Sequence, residues 1–379
     1  MSYQIPLFDL HMDAAEEEAV LDTLRSKWLS MGSRTAAFEE AFAAHLDIPC
    51  VVALSSCTAA LHLALRALDI GEGDDVLVPS LTFVATVNAV RYVGANPVFV
   101  DVVGPHDLTM DPSDLERKIS KSAKAVMVMH YAGFPAAMDR IMELAVKHGL
   151  KVVEDAAHAP ASDFGGRALG TIGHIGCFSF FSNKNITCAE GGALATSDDT
   201  LAGKVKLLRS HGMTTLSYER AKGHATRYDV VDLGYNYRLD DMRASMLLAQ
   251  MKKLKQDTEK RRDLWKQYCR ELAPVEELIV PFADCPHPSS CHIMPVLVKH
   301  GGEETRDRLR EFLASRGIQT SVHYPAVHRF SIYRRQRTDL PRTDFASDSE
   351  VTLPLYYSLS DCQVTTVTNA VKDFFSNHD

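Results

Sequence analysis

Five apolar, β-branched runs in the first 155 residues constrain this chain more than any other feature. They are Val51-Val52-Ala53-Leu54, Asp75-Val76-Leu77-Val78-Pro79, Pro97-Val98-Phe99-Val100-Asp101, Ala125-Val126-Met127-Val128-Met129 and Lys151-Val152-Val153-Glu154-Asp155. Runs without polar alternation belong to strands covered on both faces, and parallel strands joined by crossover helices meet that requirement. Helix signals stand between them. Asp13 is placed to cap a helix through Glu16-Glu17-Glu18 to about Lys27, and Ser56-Cys57-Thr58 opens the strong helix former Ala59 to Arg66. The pattern predicts an α/β fold whose mainly parallel sheet is sandwiched by helices.

The pattern changes near residue 250. Leu239 to about Glu276 is a long polar helical stretch, read as a connecting helix. Shorter units follow: a strand over Ile293 to Val298, a helix over Glu304 to Arg316, a strand over Gln319 to Val322, and a last helix near Ser360 to Phe375. A chain of 379 residues exceeds one compact core. The expected division is a large domain over 1–250, with an N-terminal segment, and a connecting helix plus small C-terminal α/β domain over 251–379. No Gly/Ser linker separates them, so they are expected to pack as one body.

Net charge is −8, from 41 basic and 49 acidic residues, which offers no electrostatic attraction for nucleic acid or anionic membrane. Small molecules are the expected ligands. No apolar run approaches the roughly 18 residues of a membrane span, and the N-terminus lacks a basic stretch followed by an apolar core, so a cytoplasmic protein is expected. The eight cysteines form no short-domain framework and read as reduced thiols. Cys285-Pro286-His287-Pro288-Ser289-Ser290-Cys291-His292 collects four metal-ligand side chains, but with the spacing of neither a paired C-x-x-C site nor a Cys2His2 finger. No metal is expected; the run reads as a Pro-rich loop entering a strand.

Chemistry concentrates around Lys184. It follows the apolar run Cys177-Phe178-Ser179-Phe180-Phe181 and precedes Ala189-Glu190-Gly191-Gly192-Ala193. Asp155, at the end of a buried strand, needs a cationic or hydrogen-bonding partner there. A lysine and an aspartate converging at strand ends suggest pyridoxal phosphate (PLP): the lysine forms a Schiff base and the acid keeps the pyridine nitrogen protonated. Helix N-termini bind phosphate, which makes the Ser56-Cys57-Thr58 turn a candidate seat, with the Ser179 hydroxyl as a further contact. Phe83 follows a strand and is placed to stack on a flat ring, and His158 to cover it. Taken singly, each has a plainer reading: a helix cap, a strand residue, a core aromatic, a structural histidine.

Their order along the chain is more specific. The phosphate turn, Ser80-Leu81-Thr82-Phe83-Val84-Ala85-Thr86, Glu154-Asp155-Ala156-Ala157-His158, the Phe-Ser-Phe-Phe-x-x-Lys run, Glu190-Gly191-Gly192 and Gly234-Tyr235-Asn236-Tyr237-Arg238 occur in sequence. Together they resemble the DegT/StrS-type sugar aminotransferases, a branch of the fold-type I PLP enzymes, from Pro6-Leu7 to Leu353-Pro354-Leu355. By that resemblance Lys184 is the Schiff-base lysine and later the acid/base. Asp155 pairs with the pyridine nitrogen, His158 and Phe83 bracket the ring, and Ser179, Cys57 and Thr58 hold the phosphate. Asn236 matches a residue that reaches the neighbouring subunit's phosphate site, which implies a homodimer with shared active sites.

The resemblance departs in two places. Cys57 stands where the family's turn commonly has glycine, and Gly32-Ser33 where Gly-Pro is common, in a loop at the mouth of the site. Cofactor binding survives the first if φ is negative at position 57. Lysine at 184 implies amino transfer, because members acting as dehydratases carry histidine there. Histidine at 158 resembles members that aminate C4 of a nucleotide-linked keto sugar. The function implied is ping-pong transamination, cycling the cofactor between PLP and its amino form PMP, with L-glutamate as donor and a dTDP-linked 4-keto-6-deoxyhexose as acceptor. A 3-keto sugar or ketocyclitol aminotransferase and a non-catalytic regulatory PLP-fold protein are the alternatives. Arg227, with Lys222 and His224, is a candidate for the diphosphate, and His323, Tyr324 and His328 for sugar or carboxylate contacts.

Overall fold

The computed structural model describes residues 3–214, 228–334 and 338–376. Its centre is a seven-stranded sheet with the spatial order Cys50–Leu54, Gly192–Thr196, Ile175–Ser179, Lys151–Asp155, Ala123–Met129, Asp75–Pro79 and Asn96–Val100. Neighbours are parallel except for Gly192–Thr196, which runs against both of its own. All five apolar runs lie in this sheet. Their alternate residues enter different cores: Val51, Leu77, Val126 and Val152 pack with Phe38, Phe42 and Ile141, whereas Val52, Val76, Met127 and Val153 pack with the helix Cys57–Ala67. Side chains of one strand alternate between its faces, so two apolar cores require unbroken apolar strands.

Sheet register gathers the strand ends that matter. Asp155 is opposite Cys177 on one side and Met129 on the other, and Gly192 is opposite both Leu54 and Ser179. A Cβ on Gly192 would lie 2.3 Å from the carbonyl carbon of Ser56, so glycine is what lets the turn before Cys57 close against the sheet. The helix Ala14–Ser26 begins with a capping box between Asp13 and Glu16.

A smaller antiparallel sheet joins Leu278–Ile279, Met294–Val298 and Glu350–Leu353, with the helices Gly302–Ser315 and Asp361–Ser376 beside it. Two expectations are corrected here. Gln319 to Val322 forms no strand: Ser321 bridges Thr352, and Gln319 N–H donates to Ile5 O at 2.9 Å. The third strand is Glu350–Leu353, whose polar Glu350 and Thr352 interrupt the apolar signal. The polar stretch after Leu239 is two helices, Asp241–Met251 and Leu254–Leu272, rather than one. Among the described residues no helix is long and apolar enough to cross a membrane.

Candidate active site

A cavity of about 380 Å³ opens at the gathered strand ends. Cys57, Thr58, Phe83, Asp155, His158, Ser179, Lys184, His323 and Tyr324 all line it. Lys184 is carried on the excursion between the strands Ile175–Ser179 and Gly192–Thr196. Phe180 N–H donating to Gly191 O at 2.9 Å and Cys188 N–H to Phe180 O at 3.1 Å close its base. Removal from water lowers the Lys184 ammonium to about 8, against the opposing pull of Asp155 and Cys57.

Asp155 is buried and accepts from Thr86 Oγ1 at 2.6 Å and from Ala157 N–H at 3.1 Å. Burial raises its pKa, with those two hydrogen bonds opposing. Among the described residues it forms no ion pair. Thr86, three residues into the helix Val84–Tyr92, was not singled out from the sequence; its only signal is a hydroxyl near the start of a helix that follows a strand.

Ser56 caps the helix Cys57–Ala67, its Oγ accepting from Ala59 N–H at 3.1 Å, while the Cys57 and Thr58 amides, at the helix start, have no intrahelical acceptor. Cys57 is the first helical residue and is not among the positive-φ positions, so its side chain is accommodated without backbone strain. Burial holds its thiol protonated, with a pKa well above the usual value. Phe83 is 56% exposed at the cavity lip, with its ring 5.9 Å from that of Tyr324. His158 is buried, and burial keeps it neutral, well below the usual imidazole pKa. Burial raises the Tyr324 pKa and keeps its hydroxyl protonated, and that hydroxyl is hydrogen-bonded to His158 Nε2 at 3.0 Å. The His323 imidazole is neutral, lowered by burial to about 4, and its backbone N–H donates to Glu350 Oε2 at 2.7 Å.

Two candidates are not brought to the cavity. His328 is buried elsewhere, its Nδ1 2.8 Å from Ser80 Oγ and its Nε2 3.2 Å from Asp344 Oδ1, and it ties a C-terminal turn to a strand end. Asn236 is exposed, and its backbone bridges Ser210. Arg227, Lys222 and His224 lie outside the described residues. Among the described residues no cluster of three or more His, Cys, Asp or Glu side chains is placed to hold a metal ion. From the Cys285 to His292 run, His292 instead faces Lys184, with Nε2 3.5 Å from Nζ.

The donor set fits pyridoxal phosphate. A lysine of lowered pKa and a buried carboxylate without a cation share one cavity with a helix N-terminus. The cofactor's pyridinium and phosphate would meet the last two. Fold and site thus define a PLP-dependent enzyme.

The comparisons place it more narrowly: the chain belongs to the DegT/DnrJ/EryC1/StrS aminotransferase family, which matches over residues 10–372. It is 35% identical to the uncharacterized protein MJ1066 of Methanocaldococcus jannaschii, covering 99% of this chain and 98% of that one. Spr1654 of Streptococcus pneumoniae, solved in apo, PLP and PMP forms, superposes in its apo form with a TM-score of 0.92 at 29% identity, covering 99% and 98% of the two chains. The aminotransferase TlmJ of Streptoalloteichus hindustanus gives 0.91 at 34% identity, with 99% of each chain covered. The chain is a PLP-dependent sugar aminotransferase of fold type I, and its family implies a keto sugar and an amino donor as reactants.

Proposed function

We propose that this enzyme transfers the amino group of L-glutamate to C4 of a dTDP-linked 4-keto-6-deoxyhexose in two half-reactions. When bound, pyridoxal phosphate supplies a carbonyl that takes up the donor's amino group and a cationic ring that withdraws electrons from the reacting carbon. The protein's own groups divide the remaining work. Lys184 Nζ would hold the cofactor through its carbonyl carbon and, when free, would carry a proton at Nζ; its ammonium, lowered by burial to about 8, suits both giving and taking near neutral pH. Asp155, which forms no ion pair among the described residues, would hold the ring nitrogen protonated. The Cys57 and Thr58 amides and the Ser179 hydroxyl, which line the same cavity, would receive the phosphate, and Phe83 and His158 would bracket the ring.

His158 carries the C4 reading. It is the residue by which the chain resembles C4-aminating members, and Tyr324 holds it in the cavity wall. His323 and Tyr324, on the same wall, are assigned to the sugar.

Purified protein with PLP and L-glutamate is to be offered dTDP-4-keto-6-deoxyglucose, its 3-keto isomer and a ketocyclitol, with products identified by mass spectrometry and NMR. Amination of the 4-keto sugar alone is expected. Preference for either competitor overturns the regiochemistry.

We infer a homodimer in which Asn236 serves the partner's phosphate site. Val230, Val231 and Leu233, just before it, are 55%, 56% and 77% exposed, which suits a surface covered by a second copy. Light scattering after gel filtration should report twice the chain mass.

A further inference from the structure

The ring of His292 lies beside the reacting lysine but outside the main cavity, and its hydrogen bonds define its state. Nε2 is 3.5 Å from Lys184 Nζ, and Nδ1 is 3.0 Å from Asn185 Oδ1. Asn185 Nδ2 donates to Ser290 O at 2.8 Å, which orients the amide with its oxygen toward the ring. An amide oxygen only accepts, so Nδ1 carries the ring proton and Nε2 presents a lone pair to the lysine. Burial keeps His292 neutral, and His158, Lys184, Arg261 and His323 push in the same direction.

The segment bearing this ring is held unusually firmly. Ser289 Oγ donates to Gly133 O at 2.9 Å and accepts from Cys291 N–H at 3.0 Å. Ser290 N–H donates to Ser162 Oγ at 2.7 Å, and Arg262 Nε to Ser289 O at 2.6 Å. Arg261 donates to His292 O at 3.3 Å and to Leu355 O at 2.9 Å. Between them Cys291 has a φ of 43°, a left-handed conformation unfavourable for a residue with a side chain, of the kind that persists where surroundings impose it.

We propose that His292 is a positioning residue for Lys184: Nε2 accepts a hydrogen bond from Nζ whenever the lysine is not bonded to the cofactor, with Asn185 fixing the tautomer that makes this possible. No proton is transferred; Nζ–H remains the donor. The amine released from the cofactor is thereby kept in one place rather than free to rotate. The other titratable groups facing Nζ are Asp155 and Cys57, which favour the ammonium, and His158 and His323, which are neutral. The role rests on the family's lysine chemistry and not on which sugar is aminated.

The test uses full-length protein freed of cofactor. Lys184 is labelled with trinitrobenzenesulfonate across a pH series, and its modification is read by mass spectrometry. In wild type the labelling midpoint is expected near about 8. His292→Phe removes the acceptor and with it the support for the ammonium, and should move the midpoint down by about one pH unit. His292→Gln, whose amide oxygen can take the place of Nε2, should restore most of the shift. A His292→Phe profile that overlays wild type overturns the proposal, and so does an equal shift in both variants, which would assign the effect to packing. If His292→Phe fails to fold, Asn185→Leu decides. Freed of its fixed tautomer, the ring can turn an N–H toward Nζ; the same downward shift is expected, and an unchanged midpoint overturns the assignment. No sugar takes part, so failure of the acceptor screen leaves this test standing, and a flat profile leaves the sugar assignment untouched.

Discussion

Glu154 and Asp155 are consecutive on one buried strand and face opposite sides of the sheet, yet their surroundings differ completely. Glu154 is saturated: His130 Nε2 at 2.9 Å and the N–H groups of Gly170, Ile172 and Gly173 at 2.8, 2.7 and 2.6 Å surround its oxygens. Those contacts outweigh the burial that would raise its pKa and hold it below the usual value. Among the described residues Asp155 accepts hydrogen bonds from Thr86 and Ala157 alone, and burial prevails over them and over the pull of Lys184 and His130. A buried carboxylate satisfied by its own chain is architecture. One left with spare acceptor capacity in a cavity is a place for a ligand cation.

The largest effect that bears on this contrast is at the lysine Asp155 works beside. Lys184→Ala should reduce turnover by roughly 10³-fold or more and abolish the visible band of the bound cofactor, with the near-ultraviolet circular dichroism intact.

Glu154→Ala should come next, lowering stability by about 3–5 kcal/mol in urea unfolding because it strands His130 and three amides. The pH dependence has a defined sign. Because folding lowers the Glu154 pKa from 4.5, its contribution is present above that value and is lost as pH falls through the folded pKa. Wild type should therefore lose this contribution in acid, and a Glu154→Gln variant should have less to lose.

Asp155→Asn should do the reverse: kcat falls by roughly 10²-fold, while the urea midpoint stays or rises because a buried charge has gone. Equal stability losses at 154 and 155 would break the distinction between the two sites.

The smallest effect is expected at the phosphate turn. Cys57→Gly should change stability by no more than about 1 kcal/mol and preserve cofactor binding, since Cys57 already occupies an unstrained helical position. A titration of the cofactor-free variant with PLP checks both; a large gain in affinity would mean that the thiol crowds the phosphate.

What could be read along the chain was local. The five apolar runs, the capping box after Asp13, the acid ending the strand at 155 and the lysine at 184 each declare themselves within a few residues, because strand burial, helix capping and turn chemistry act at that range. The identity of the cofactor was legible in the same way, as a lysine and an aspartate at strand ends.

Tertiary packing decided the rest. Asp155 stands out along the chain as the acid that ends a strand, but what satisfies Glu154 beside it does not: only the fold brings the loop at 170–173 to that carboxylate and makes it structural. Likewise His292 reads as one of four metal-ligand side chains in a Pro-rich loop until folding sets it against a lysine 108 positions earlier. His328 reads as a substrate contact until Ser80 and Asp344 claim both of its nitrogens. Local pattern specifies which elements form. Which polar groups meet depends on contacts between residues far apart in the chain, and no short-range pattern encodes them.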